Sequence, residues 1–330
     1  MTKWLALAAL LLGATSSPAA AADNPAAQQL FDSAHGPASL IQSATGPFDL
    51  EVDFIMQFNK PIHGHLSLQW QSKDHWRSKL DAAGFQQTIV NIGDERYTLG
   101  NLAYTPEELE QLYSLLDLQI APGVSTAKKI SRRTIDGIAL TCIKAKVTAL
   151  STPEEHEVCL DASSHNIVSD ERKAQQPETT ELFSDYFDFQ GIPYPRSLRL
   201  LKEKEPVITA SVISLAATSH DPALLIPPPG SIQQRECSNM TGPTLVQHSV
   251  LDLSSTGLHN AKITASFTVL ADGSVGKIVF IYLSSPKLAI PALNAMKKWR
   301  YKPATCGKEP IIFHDLKTTM DMHSNGFALR

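Results

Sequence analysis

The sequence predicts an α+β protein dominated by a curved antiparallel sheet, followed by a small second unit of strands and one helix. Three observations predict it. From Phe48 onward, apolar and polar residues alternate with period two through about ten short runs. One strong helical pattern, beginning at Thr105, interrupts them. The stiff cluster Ile226-Pro227-Pro228-Pro229-Gly230 then separates a block with a different order: strand, strand, helix, strand. A parallel α/β fold would alternate helices with strands, and this chain does not.

The length of 330 residues suits two domains, because single cores rarely grow past about 250 residues. A formal net charge of −4 gives no long-range attraction to phosphate, which argues against nucleic-acid partners. The first residues, Met1-Thr2-Lys3, are cationic, and an apolar run of about eleven follows from Trp4 to Ala14. Such a run is too short for the roughly 20 residues that span a bilayer. Ala20-Ala21-Ala22 places small residues where signal peptidase cuts. Residues 1–22 are therefore expected to be a signal peptide, with a periplasmic or secreted chain starting at Asp23 and no transmembrane segment in it.

The elements follow in order. Residues 25–45 read as one or two short helices broken at His35-Gly36-Pro37. Leu50, Val52, Phe54 and Met56 alternate with acidic and polar residues in the first strand. Further strands are expected at 63–71, 75–81, 86–92 and 96–99, punctuated by Gly84 and Gly93-Asp94. Thr105-Pro106-Glu107-Glu108 reads as a capping box with proline at the first helical position. Leu109, Leu112, Tyr113 and Leu116 then share one helix face. Pro122-Gly123 closes that region, and strands resume at 130–133, 138–147, 158–160, 167–172, 181–189 and 207–215. Lys202-Glu203-Lys204-Glu205 reads as an exposed hairpin tip. The expected domains are 23–225 and 236–330, with a proline-rich linker at 226–235. In the second, Ala261–Leu270 and Val275–Leu283 form a hairpin about Asp272-Gly273. A helix runs from Pro291 to about Trp299, and Pro310–Thr319 is the last strand.

Four cysteines in an exported chain suggest two disulfides, for which three pairings exist. Local pairing is expected: Cys142 with Cys159 across an antiparallel pair that turns near Leu150-Ser151, and Cys237 with Cys306 in the second unit. No Cys-x-x-Cys occurs, which leaves zinc and dithiol redox chemistry without their motifs. His63-Gly64-His65 puts two imidazoles on one strand face but lacks a third ligand nearby, so a solvent-facing pair is expected. Glu154, Glu155, His156 and Glu157 read as a solvated loop. The nucleophile elbow, the zinc-protease helix, the phosphate loop and the dinucleotide fingerprint are all absent from the sequence. No enzyme, cofactor or metal is expected.

The second block resembles the C-terminal domain of the TonB energy-transducer family, over residues 236–325. The resemblance is carried by Ser266-Phe267-Thr268-Val269, Asp272-Gly273-Ser274-Val275, Ser284-Ser285-Pro286 and Ala295-Met296-Lys297-Lys298-Trp299-Arg300-Tyr301-Lys302-Pro303-Ala304. It implies a ββαβ domain whose Asp272, Gly273, Trp299, Tyr301 and Pro303 fix the turn and the helix end. It also implies an outer-membrane or envelope partner that adds a strand to the sheet edge. The chain departs from that family in its cleavable leader, its short linker, and the β-rich domain that stands where a spacer would be.

Residues 28–218 resemble the half-barrel of periplasmic lipoprotein carriers of the LolA and LolB kind. The matching segments are Gly64–Trp70, His75-Trp76-Arg77, Thr88–Tyr97, Cys159-Leu160-Asp161, Ser184-Asp185-Tyr186 and Ile192-Pro193-Tyr194-Pro195. Such half-barrels hold an apolar ligand between sheet and helices. That makes Phe54, Leu68, Trp70, Ile89, Leu112 and Leu116 candidate cavity walls, or else the filling of a dry core. Two functions are expected from these readings. One is an exported binding protein that acts through its TonB-like unit, and the alternative is a carrier or sensor of an apolar ligand. A hydrolase with a site scattered along the sequence ranks below both.

Overall fold

The structure, a computed structural model, describes residues 24–35, 40–43, 46–57, 60–102, 104–117, 125–135, 137–147, 154–172, 178–219, 221–235, 237, 239–249, 251, 253, 256–258, 260–323 and 326–329. The expected signal peptide, the Pro122-Gly123 stop and the Leu150-Ser151 turn lie outside them. Among the described residues, no helix is long and apolar enough to cross a membrane.

Thirteen strands build one antiparallel sheet. They are β1 (Phe48–Gln57), β2 (Pro61–Ser72), β3 (His75–Ala82), β4 (Phe85–Ile92), β5 (Glu95–Gly100), β6 (Ser125–Ile135), β7 (Ile138–Val147), β8 (Glu154–Asp161), β9 (Ile167–Arg172), β10 (Thr179–Phe189), β11 (Ile192–Lys202), β12 (Glu205–Ala217) and β13 (Ile232–Arg235). The order is β13-β5-β4-β3-β2-β1-β12-β11-β10-β9-β8-β7-β6. Both halves are meanders, joined where β1 pairs with β12. Period two decides which face is buried: Phe48, Leu50, Val52, Phe54 and Met56 of β1 are inside, while Asp49, Glu51 and Asp53 face out. The tip between β11 and β12 turns at Glu203 and Lys204, both with positive φ, as a two-residue hairpin requires.

Three helices close the inner face: α1 (Pro25–His35), α2 (Leu40–Ser43) and α3 (Glu107–Asp117). The α3 residues Leu109, Leu112, Leu115 and Leu116 are buried against the sheet. The expected capping box at Thr105 is not what starts this helix. Pro106 O receives the Leu109 and Glu110 amides, and the Thr105 hydroxyl instead accepts Gln87 Nε2 at 2.9 Å. The far end is fixed by Tyr194, wholly buried, which donates to Leu116 O at 2.8 Å.

The expected linker is part of the first unit. After β12 the chain makes a 3-10 turn at Pro222–Leu225 and crosses the outer face of β3 and β4, where Arg77 Nη1 donates to Leu224 O. The prolines occupy this crossing. Ile232–Arg235, free of proline, then pairs with β5 as an edge strand.

The second unit centres on the sheet β17-β16-β21-β22, with β16 (Ala261–Val269), β17 (Val275–Leu283), β21 (Phe313–His323) and β22 (Gly326–Leu329). The short strands β14 (Met240–Thr241), β15 (Thr244–Gln247), β18 (Arg300–Lys302), β19 (Ala304–Cys306) and β20 (Glu309–Ile311) form two small sheets beside it. Helix α4 (Ala289–Met296) covers one face through Ala292, Ala295 and Met296, and Trp299 packs edge-on to Phe267 at 6.0 Å. The hairpin β16–β17 precedes α4, but three short strands stand between that helix and β21 where one strand was expected, and two bounds differ. The helix starts before Pro291, because Ser285 caps a 3-10 turn that leads into it and the first helical amides have no partner to lose. Pro310 belongs to β20, and the last long strand runs on past Thr319, with Met320 and Met322 keeping the buried face.

Candidate functional site

Between the inner face of β2–β5 and helices α2 and α3 lies an apolar cleft of about 440 Å³. Period two aims Leu66, Leu68 and Trp70 of β2 and Ile89 of β4 into it, and Leu116 and Tyr113 come down from α3. Four of the six candidate cavity residues, Leu68, Trp70, Ile89 and Leu116, therefore line one space. Phe54 and Leu112 do not. Phe54 is 2 % exposed and lies where a Cβ on Gly64 would stand, so it plugs the sheet. Leu112, wholly buried, fills the seam beneath α3.

Sequence reasoning missed the polar mouth of this cleft. Gln87, Arg96, Thr105 and Glu110 line it. Arg96 reaches over the Trp76 ring at 5.9 Å, a cation–π contact. Tyr113 meets Ser78 Oγ at 3.3 Å, and burial pushes its phenol pKa up, keeping the ring neutral. Gln87 is 6 % exposed. Its amide nitrogen is bonded to Thr105, but among the described residues its Oε1 has no hydrogen-bond partner. Gln87 sits in a run of alternating residues, and a buried polar residue on the inward face was the available signal.

A second space, of about 530 Å³, opens on the other side of the same residues, between β5, β13 and the second unit. Gln87, Ile89, Arg96, Thr105 and Glu110 line both. Lys277, His314 and Asp315 line only the second. Among the links that bind the units, Asp315 Oδ2 accepts the Thr105 amide at 3.0 Å, Lys317 pairs with Glu110, and Gln234 Oε1 accepts the His314 amide at 3.1 Å.

The remaining sequence candidates lie elsewhere. Cys142–Cys159 joins directly opposed residues of β7 and β8, and Cys237–Cys306 ties the entrance of the second unit to β19. Asp272 Oδ1 accepts Ser274 N and Oγ, and Gly273, at φ +80°, abuts Tyr301 O and Pro303. Tyr301 N donates to Gly273 O at 2.8 Å, so the hairpin turn and the segment after α4 form one packed corner. His65 stands on the outer face between Asp53 (2.7 Å) and Glu51 (2.6 Å), and the Asp53 bond raises its pKa. Among the described residues, no group of three or more His, Cys, Asp or Glu side chains is arranged to hold a metal ion. His156 and Glu157, expected in a solvated loop, are buried in β8. His156 Nδ1 meets Asp170 at 3.0 Å, and Arg172 links on to Glu181 at 2.7 Å, a polar cluster that period two places on the inward face.

No family model matches the sequence, so the resemblance of residues 236–325 to TonB C-terminal domains gains no support. No curated protein matches it either. Among solved structures, the chain is similar to a DUF1329 family protein from Desulfovibrio piger, with 10% identity over 61% of this chain and 96% of that one, at a TM-score of 0.44. It is also similar to a LolA superfamily protein from Nitrosomonas europaea, with 10% identity over 59% and 96% of the two chains, at 0.41. The MucA/MucB complex of Pseudomonas aeruginosa aligns with 88% of this chain and 99% of that one, at 12% identity and 0.26. The site stands on its own geometry.

Proposed function

We propose that this protein is a non-catalytic, exported binding protein that holds an apolar chain in the cleft beneath α3. The cleft itself carries the reading. A cleft of this size walled largely by Leu, Ile and Trp falls within the roughly 300–1,000 Å³ of ordinary ligand pockets. Two disulfides suit an oxidising compartment and support export. Native mass spectrometry of protein purified without detergent tests the reading directly. Bound lipid-sized species, displaced by an added fatty acyl chain, are expected. A protein that carries nothing and fails to quench or displace a fluorescent acyl probe would end it.

A second role, contact with an envelope protein, has one observation behind it. Among the described residues β17 has a single neighbour, β16, leaving nine mostly apolar residues on an edge where Tyr282 is 51% exposed. A photo-crosslinking residue at Tyr282 in the full chain should capture one envelope protein, and the absence of any adduct would remove this role.

A further inference from the structure

Building on the apolar-chain reading, we infer that the ligand is a single-chain amphiphile whose head group donates a hydrogen bond to Gln87 and carries a negative charge into the space between the two units. The apolar cleft and the second space share Gln87, Arg96 and Thr105 in their walls, so a chain lying in the first meets this polar join at one end, apart from the Tyr113 phenol, which is bonded to Ser78. Gln87 fixes the chemistry of the linkage. One N–H of its nitrogen donates to Thr105, and its oxygen, buried and without a partner among the described residues, can only accept. An N–H or O–H next to the first polar atom of the chain satisfies it, whereas an ester or an alkane leaves it bare.

Charge fixes the remainder. Two carboxylates face the second space, and both are occupied: Glu110 pairs with Lys317, while Asp315 accepts Ser266 Oγ and the Thr105 amide. The cations that face it are Arg96, at the join, and Lys277, from β17. Burial and the nearby Lys277 charge both lower the pKa of His314, which therefore adds no positive charge at neutral pH. An anionic head placed here lies beside the Lys277 ammonium after the acids have found their own partners. An N-acyl amino acid has all three parts in order: chain, amide N–H and carboxylate.

The test uses the full chain and a displaceable fluorescent acyl probe. N-dodecanoylglycine should bind about tenfold more tightly than methyl dodecanoate, the size of effect expected for one net charge-assisted hydrogen bond. Gln87→Leu and Lys277→Gln should each shrink that preference to about threefold or less. Lys277 is exposed, so its variant folds even if the Gln87 variant does not. Equal binding of the two ligands, or a preference that neither variant touches, would overturn the head-group assignment alone. If neither ligand displaces the probe, the apolar-chain reading fails and takes this one with it.

Discussion

Asp315 accepts the backbone amide of Thr105 at 3.0 Å, so a residue of the second unit holds the entrance to the helix that roofs the cleft. The same carboxylate accepts Ser266 Oγ, and its backbone sits at φ 55°, a region that Asn and Asp tolerate better than alanine. Asp315→Ala removes both bonds and adds backbone strain, for a loss of about 2–4 kcal/mol. Asp315→Asn keeps the backbone preference and should lose less. Denaturant titration of both variants measures the difference, and equal losses would mean that the backbone strain adds nothing.

Glu181 makes stability depend on pH. Burial pushes its pKa from 4.5 to about 7, against the pull of Arg172. The folded state therefore holds a proton that the unfolded chain releases near pH 4.5. This contribution is complete below pH 4.5 and is lost as pH rises through about 7, on the order of 3 kcal/mol across the window. Glu181→Gln should flatten the change in stability between pH 5 and pH 8. An unchanged slope in chemical denaturation would assign it to other groups.

The cleft and the dry core should respond differently to substitution. Leu112, wholly buried and outside the cleft, should cost about 2–5 kcal/mol when cut to alanine, with acyl-probe affinity preserved in the folded fraction. Leu68 lines the cleft and is only half-buried. Leu68→Trp should fill the space, abolish probe binding and change stability by less than about 1.5 kcal/mol, since the added ring replaces empty volume. If the tryptophan variant still binds the probe, the chain lies elsewhere.

The sheet was legible because a half-buried strand writes its two faces into alternating residues, as β1 does from Phe48 to Met56. What failed to show was where a polar residue interrupts that alternation for a reason. Gln87 and His156 both occupy inward positions, and each reads locally as a loop or a surface residue. Their partners, Thr105 for Gln87 and Asp170 for His156, come from other strands or the helix approach, 18 and 14 residues away. The path of Pro222–Leu225 across the outer face was hidden for a similar reason. Arg77, which holds it, lies 147 residues earlier.

Both disulfides should register as stability. Loop-closure entropy gives about 3 kcal/mol for Cys142–Cys159, whose ends are 17 residues apart, and about 4 kcal/mol for Cys237–Cys306, 69 apart. Paired Cys→Ala variants followed by thermal unfolding measure each, with the larger loss expected for the second pair. Non-reducing peptide mapping checks the connectivity itself. A Cys159–Cys237 crosslink would staple the two units together and contradict it.

Gly273 should tolerate no side chain. Its φ of +80° is left-handed, and a Cβ placed there would stand 2.0 Å from Tyr301 O, a backbone atom that cannot swing away. Moving Tyr301 would break its amide bond to Gly273 O and disturb the ring that packs on Phe267 at 5.7 Å. Left-handed strain alone costs about 1–2 kcal/mol, and overpacking against a fixed neighbour adds about 1–3 more. Gly273→Ala should therefore cost about 2–5 kcal/mol, concentrated in the second unit. Hydrogen exchange localises it: amides of β16 and β17 should lose protection while those of β1 and β12 keep theirs. Uniform loss across both units would mean that they unfold together, and that the contacts at Asp315 and Lys317 couple them into one cooperative fold.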